Sequence, residues 1–144
     1  MLMRRVFYLF LGALSVILVV YMTLPAFASD FDKFAKATIK EFGHKSDPKL
    51  VTDAVLQYLE ENQIDDPIPF FTENMDTKYV INADDPNLSE TDKAWIKSGE
   101  VKRLTSFHSK YFNRVVSHYE LSVFIRDFRS GERRIHARIY LNAL

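Results

Sequence analysis

The chain has no cysteine among its 144 residues. That excludes disulfide scaffolds, thiolate zinc clusters, thiol nucleophiles and a lipid-modified cysteine. Glycine and proline are few, 4 and 5 residues, which excludes collagen-like and linker-like chains. Neither sign of charge is in excess: 19 Lys plus Arg balance 19 Asp plus Glu. A chain-wide attraction to nucleic acid is therefore not expected. The sequence also lacks G-x-S-x-G, H-E-x-x-H and the glycine fingerprints that cradle phosphates. No catalytic constellation and no cofactor is expected from its motifs.

What is present begins with an apolar leader. Val6–Leu24 runs for 19 residues without a charge, and Arg4 and Arg5 precede it. Two cations before an apolar run keep the N-terminus in the cytoplasm. The length approaches the roughly 20 residues of a transmembrane helix. The segment Pro25-Ala26-Phe27-Ala28 instead has the A-x-A spacing that a signal peptidase accepts. Residues 1–28 are thus a signal peptide, cleaved after Ala28, or a membrane anchor through residues 6–24. Either places residues 29–144 outside the cytoplasm, as a periplasmic or secreted domain or a single-pass inner-membrane protein.

That domain reads as α+β. Phe31, Phe34, Ala35, Thr38, Ile39 and Phe42 recur at helical spacing after Ser29-Asp30, and Gly43 supplies a stop. Asp47-Pro48 is a cap followed by proline at the first helical position. Leu50, Val51, Ala54, Val55, Tyr58 and Leu59 then mark a second helix ending near Asn62. Ile64 to Asn74, with Pro67 and Pro69, reads as loop. Lys78 to Ala83 is a short strand, and Ser89 with Asp92 resembles a capping box opening a short helix that carries Trp95 and stops at Gly99.

Three strands follow: Val101 to Lys110, Val115 to Phe128 and Arg133 to Ala143. The last two alternate apolar and polar residues. A three-residue loop at Arg129-Ser130-Gly131 pairs Ile125 with Ile135, Val123 with Ala137 and Leu121 with Ile139. That register keeps the apolar residues on one face, whereas a two-residue turn mixes the faces. The expected fold is two or three helices packed on a curved antiparallel sheet of three to four strands. This order of elements is similar to cone-like folds of the nuclear-transport-factor and cystatin-like types. It also resembles the periplasmic domains of membrane-anchored secretion proteins. Such folds host enzymes, ligand binders and assembly proteins alike.

Charge is divided along the chain. Residues 29–100 hold 8 Lys and no Arg against 16 acids, whereas residues 101–144 hold 7 Arg and 2 Lys against 3 acids. The basic sheet either complements acidic helices within the domain or forms a binding face. The hairpin register sets Arg126, Arg134, His136, Arg138 and Tyr140 on one face, suited to an acidic protein surface. Arg126 opposite Arg134 is mildly repulsive unless something sits between them.

Other candidates are weaker. Asp84, Asp85, Asn87, Ser89, Glu90 and Asp92 are rich in oxygen, but an EF-hand starting at Asp85 needs glycine at Glu90 and glutamate at Ile96. No metal site is expected. Trp95, Tyr119, Glu120 and His118 are candidate pocket residues if the fold encloses a cavity, with Glu120 or His118 as acid or base. The leading expectation is a non-enzymatic interaction or assembly module of the cell envelope, with other envelope proteins as partners. The alternatives are a small-molecule-binding or enzymatic domain with a pocket near Trp95, and an inhibitor or immunity protein of a secreted enzyme.

Overall fold

The computed structural model describes residues 29–45, 47–88, 90, 93, 96–97 and 101–143. The leader, the Ala28 cleavage site and the Ser89–Asp92 cap with Trp95 and Gly99 lie outside the described residues. The chain divides into two compact units, Met1–Lys33 and Phe34–Leu144. The sheet lies wholly in the second. Among the described residues no helix is long and apolar enough to cross a membrane.

Among the described residues, three helices precede a four-stranded antiparallel sheet, an α+β arrangement. The helices are α1 (Asp30–Phe42), α2 (Pro48–Glu61) and α3 (Pro67–Asn74). The strands are β1 (Thr77–Asn82), β2 (Val101–Tyr111), β3 (Ser117–Phe128) and β4 (Arg133–Ala143), and they pair in chain order.

Helix α2 starts as its sequence dictates. The Asp47 carboxylate accepts from the Lys49 N–H at 2.9 Å, and Pro48 fills the first helical position. It ends in a Schellman motif: Ile64 N–H donates to Leu59 C=O and Gln63 N–H to Glu60 C=O. Gln63 adopts φ 54°, a position that favours glycine. Val51, Val55 and Leu59 form its buried stripe.

Ile64 to Asn74 is not wholly a loop, because Pro67–Asn74 is helix α3. The cause is a second copy of the Asp-Pro start. Asp66 accepts from the Ile68 N–H at 3.2 Å and Pro67 occupies the first turn. Pro69 is tolerated because the first-turn N–H groups have no helical acceptor.

The β3–β4 hairpin has the register that alternation demands. Ile125 pairs with Ile135, Val123 with Ala137, and Leu121 with Ile139. Gly131 sits at φ 90°, where a side chain would be strained, and the loop closes by Gly131 N–H to Phe128 C=O at 3.0 Å. Strand β2 is interior, between β1 and β3. Thr105, Ser106 and Phe107 are consecutive and all buried, so β2 is covered on both faces at its middle. That double burial explains its weak alternation in the sequence.

The core lies on the inner face, where Phe107, Leu121, Val123, Ile125 and Ala137 are fully buried. A run of aromatic rings links the helices to it. Phe34 meets Tyr58 at 4.5 Å between centroids, Tyr58 meets Phe70, Phe70 meets Phe71, and Phe71 meets Phe107 at 5.5 Å. Helix α2 also covers the β4 edge at Ala137. The Thr52 hydroxyl accepts from Ala137 N–H at 3.0 Å and lies 3.2 Å from Ala137 C=O. One side chain thereby occupies both edge groups of that residue.

Candidate functional site

The outer face of the sheet carries the chemistry. Register fixes which side chains share it, because directly paired residues point the same way. Tyr79 pairs with Ser106, Ser106 with Phe124, and Phe124 with His136. One row further, His108 pairs with Ser122 and Ser122 with Arg138. Beyond that, Glu120 pairs with Tyr140.

Four of these residues form a closed hydrogen-bond chain. Ser106 Oγ lies 3.1 Å from His108 Nε2, and His108 Nδ1 lies 2.8 Å from Ser122 Oγ. Ser122 Oγ donates to Glu120 Oε1 at 2.9 Å, and Glu120 Oε1 is 3.1 Å from His108 Nδ1. One proton arrangement satisfies every member. Ser106 donates to Nε2, the Nδ1 proton faces Ser122 Oγ, and Ser122 donates to the carboxylate. Ser122 is fully buried, so this closure offsets the cost of desolvating it. The Tyr79 and Phe124 rings stand edge-on to the imidazole at 5.6 and 5.9 Å.

Serine, histidine and glutamate follow one another here in the order of a nucleophile, its base and an orienting acid. The surroundings differ from an acyl-transfer site. Ser106 is in an interior strand whose neighbours on both sides take its backbone groups into the ladder. The N–H of Ser106 itself is thus already engaged. The chain of bonds links β2 to β3 across the outer face, with Ser106 and Ser122 buried and His108 and Glu120 part-buried.

The structure places Arg126, Arg134, His136, Arg138 and Tyr140 on this same outer face, with Arg126 directly opposite Arg134. Their environments differ. Arg134 donates to Glu132 at 2.7 Å and stacks on the Phe128 ring at 4.8 Å. Burial, then the charge of Arg134, holds the Arg126 guanidinium below its ordinary value. Burial, then Arg138 and Arg126, lowers the pKa of His136 and favours its neutral ring. Arg138 is exposed and has no hydrogen-bond or ion-pair partner among the described residues. With Tyr140 it borders a groove of about 200 Å³ at the β4 edge, whose far wall is Lys45, Asp47 and Val51.

The pocket candidates are not brought together. Tyr119 lies on the inner face, whereas His118 and Glu120 lie on the outer one. His118 pairs with Asn142, whose amide is 3.3 Å from its Nε2. Trp95 lies outside the described residues. Tyr119 instead lines a cleft of about 420 Å³ at the end of α1.

Arginines that sequence reasoning left aside hold the fold together. Arg133 and Arg103 both donate to Asp127, at 2.6 and 3.0 Å, and Arg133 also reaches the α3 cap Asp66 at 3.1 Å. Burial alone would raise the Asp127 pKa, but the hydrogen bonds from Arg133 and Arg103 outweigh it and hold the carboxyl below its usual range. The only sequence signal was the adjacency of Asp127 and Arg133 in the hairpin register. Arg103 was hidden by a register shift between Val101 and Arg103.

Among the described residues, no group of three or more His, Asp or Glu side chains converges as a metal site. Compared with known families, curated proteins and solved structures, the chain matches none.

Proposed function

We propose that the protein is an interaction module of the cell envelope that docks an acidic protein segment on the outer face of β4. One observation carries the reading. Arg103, Arg129, Arg133 and Arg134 each bind an acid of the same chain, whereas Arg138 has none and stands with Tyr140 at the rim of an edge groove. Ala137 turns its N–H and C=O to the outer edge, where Thr52 takes them. By strand alternation Ile139 and Leu141 turn theirs the same way, as an extended partner segment requires. The Ser106–His108–Ser122–Glu120 chain ties the neighbouring strands β2 and β3 together. The leader and the helix-then-meander order support a tethered or exported domain, similar to the cone-like folds of nuclear-transport-factor and cystatin-like proteins.

A photocrosslinking amino acid at Tyr140 tests this in cells. A discrete protein adduct is expected, lost when Arg138→Glu is added. Absence of any adduct, or an adduct indifferent to Arg138→Glu, contradicts the reading.

A further inference from the structure

A second cleft lies where α1 ends beside the β2–β3 loop. The cleft there holds about 420 Å³, within the usual range of roughly 300–1,000 Å³ for small-ligand sites. Ile39, Phe112 and Tyr119 give it apolar walls, and Lys40, His44 and Arg114 stand around it. None of these three basic side chains has an acidic partner among the described residues.

The apolar wall continues out of the cleft. Val115 is 92% exposed, Val116 64%, and Leu141, which pairs with Tyr119, 60%. Two adjacent valines at a loop tip are an unusual thing to leave in water. Phe112 adds a second sign. It holds φ 51°, a left-handed backbone that a bulky residue seldom adopts, and its ring is 39% exposed with the Lys40 ammonium 5.7 Å from its centroid. Gly43 lets the end of α1 approach Tyr119: a Cβ there would lie 2.5 Å from Ile39 C=O and 3.1 Å from the Tyr119 ring. The α1 C-terminus presents carbonyl dipoles that oppose an anion. The Lys40 and Arg114 cations stand around it, so the balance still favours negative charge.

We infer that this cleft binds an anionic amphiphile, with a carboxylate or phosphate head held by Lys40, His44 and Arg114 and an alkyl chain laid over Phe112, Tyr119 and the exposed valines. The two clefts share no lining residue, so failure here leaves the Tyr140 crosslink unaffected.

The test uses the full chain in phosphatidylcholine nanodiscs with a diazirine-bearing dodecanoic acid. Photolabel should map by peptide mass spectrometry to residues 112–119 and be displaced by dodecanoate but not by dodecanol. K40E/R114E should reduce the label about ten-fold or more, equivalent to one charge-assisted contact. K40Q/R114Q, checked by circular dichroism, should reduce it in the same direction. A second arm places a diazirine-bearing phosphatidylglycerol in the disc. Label on the same residues from the lipid identifies a bilayer source, and label from the free acid alone identifies a soluble amphiphile. Label elsewhere, no label in either arm, or equal label in the charge variants overturns the inference.

Discussion

The two ends of the inner sheet face are built differently. At one end Asp127 gathers Arg103 and Arg133, Arg133 extends to Asp66, and the helix cap and three strands are tied by charge. At the other end Lys40, His44 and Arg114 stand around exposed Phe112, Val115 and Val116 with no acid among the described residues to hold them. The first end satisfies its own charges and serves stability. The second leaves cations and apolar surface unanswered and is suited to binding. Basic composition alone does not separate these roles; the position of two acids, Asp127 and Asp66, does.

The sharpest way to break the contrast is Asp127→Ala. It leaves two arginines without their shared acceptor, and hydrogen bonds to charged groups contribute about 1.5–3 kcal/mol each. Loss of about 2–3 kcal/mol in urea unfolding is expected. Both arginines are partly exposed, which keeps the loss from doubling. K40E/R114E, which also alters two charges, should change stability by less than about 0.5 kcal/mol.

Thr52→Val comes next. The shape is kept, but Ala137 N–H and C=O lose the hydroxyl that covers them. About 1–2 kcal/mol of destabilisation is expected in the same assay. Gln63→Gly has the opposite sign, a gain of up to about 1 kcal/mol, because glycine relieves the left-handed position that ends α2.

Much of this was legible in the sequence, and the gaps have causes. The β3–β4 hairpin was readable because strict alternation allows one loop length, and Gly131 meets that loop's demand for a left-handed residue. Helix α3 was obscured by two prolines and only eight residues, although Asp66-Pro67 repeats the start seen at Asp47-Pro48. The outer-face residues of β4 followed from register. The Ser106–His108–Ser122–Glu120 chain did not, since it needs the β2–β3 register. That pairing lies across a loop whose valines read as strand; Val115 and Val116 precede β3, which starts at Ser117. The polar alternation of Ser106 with His108 and of Glu120 with Ser122 was the available clue.

The smallest effect is on pH dependence. The folded protein holds the His136 pKa below its ordinary value, so the unfolded chain binds the proton more readily. Stability from this group is full above about pH 6.5 and falls as pH drops through the lowered folded value. His136→Gln should flatten the acid side of a stability–pH curve. Asp127 acts lower, its contribution present above the ordinary carboxylate range near about pH 4 and lost as pH falls through its depressed value.

The central claim is that Arg138 serves a partner while Arg133 serves the fold. The direct measurement is a paired one: thermal melting and the Tyr140 photocrosslink, each on Arg138→Glu and Arg133→Glu. The account predicts an unchanged melting temperature with a lost adduct for Arg138→Glu, and a lowered melting temperature for Arg133→Glu. Arg138→Glu melting as low as Arg133→Glu, or retaining the adduct, would contradict it.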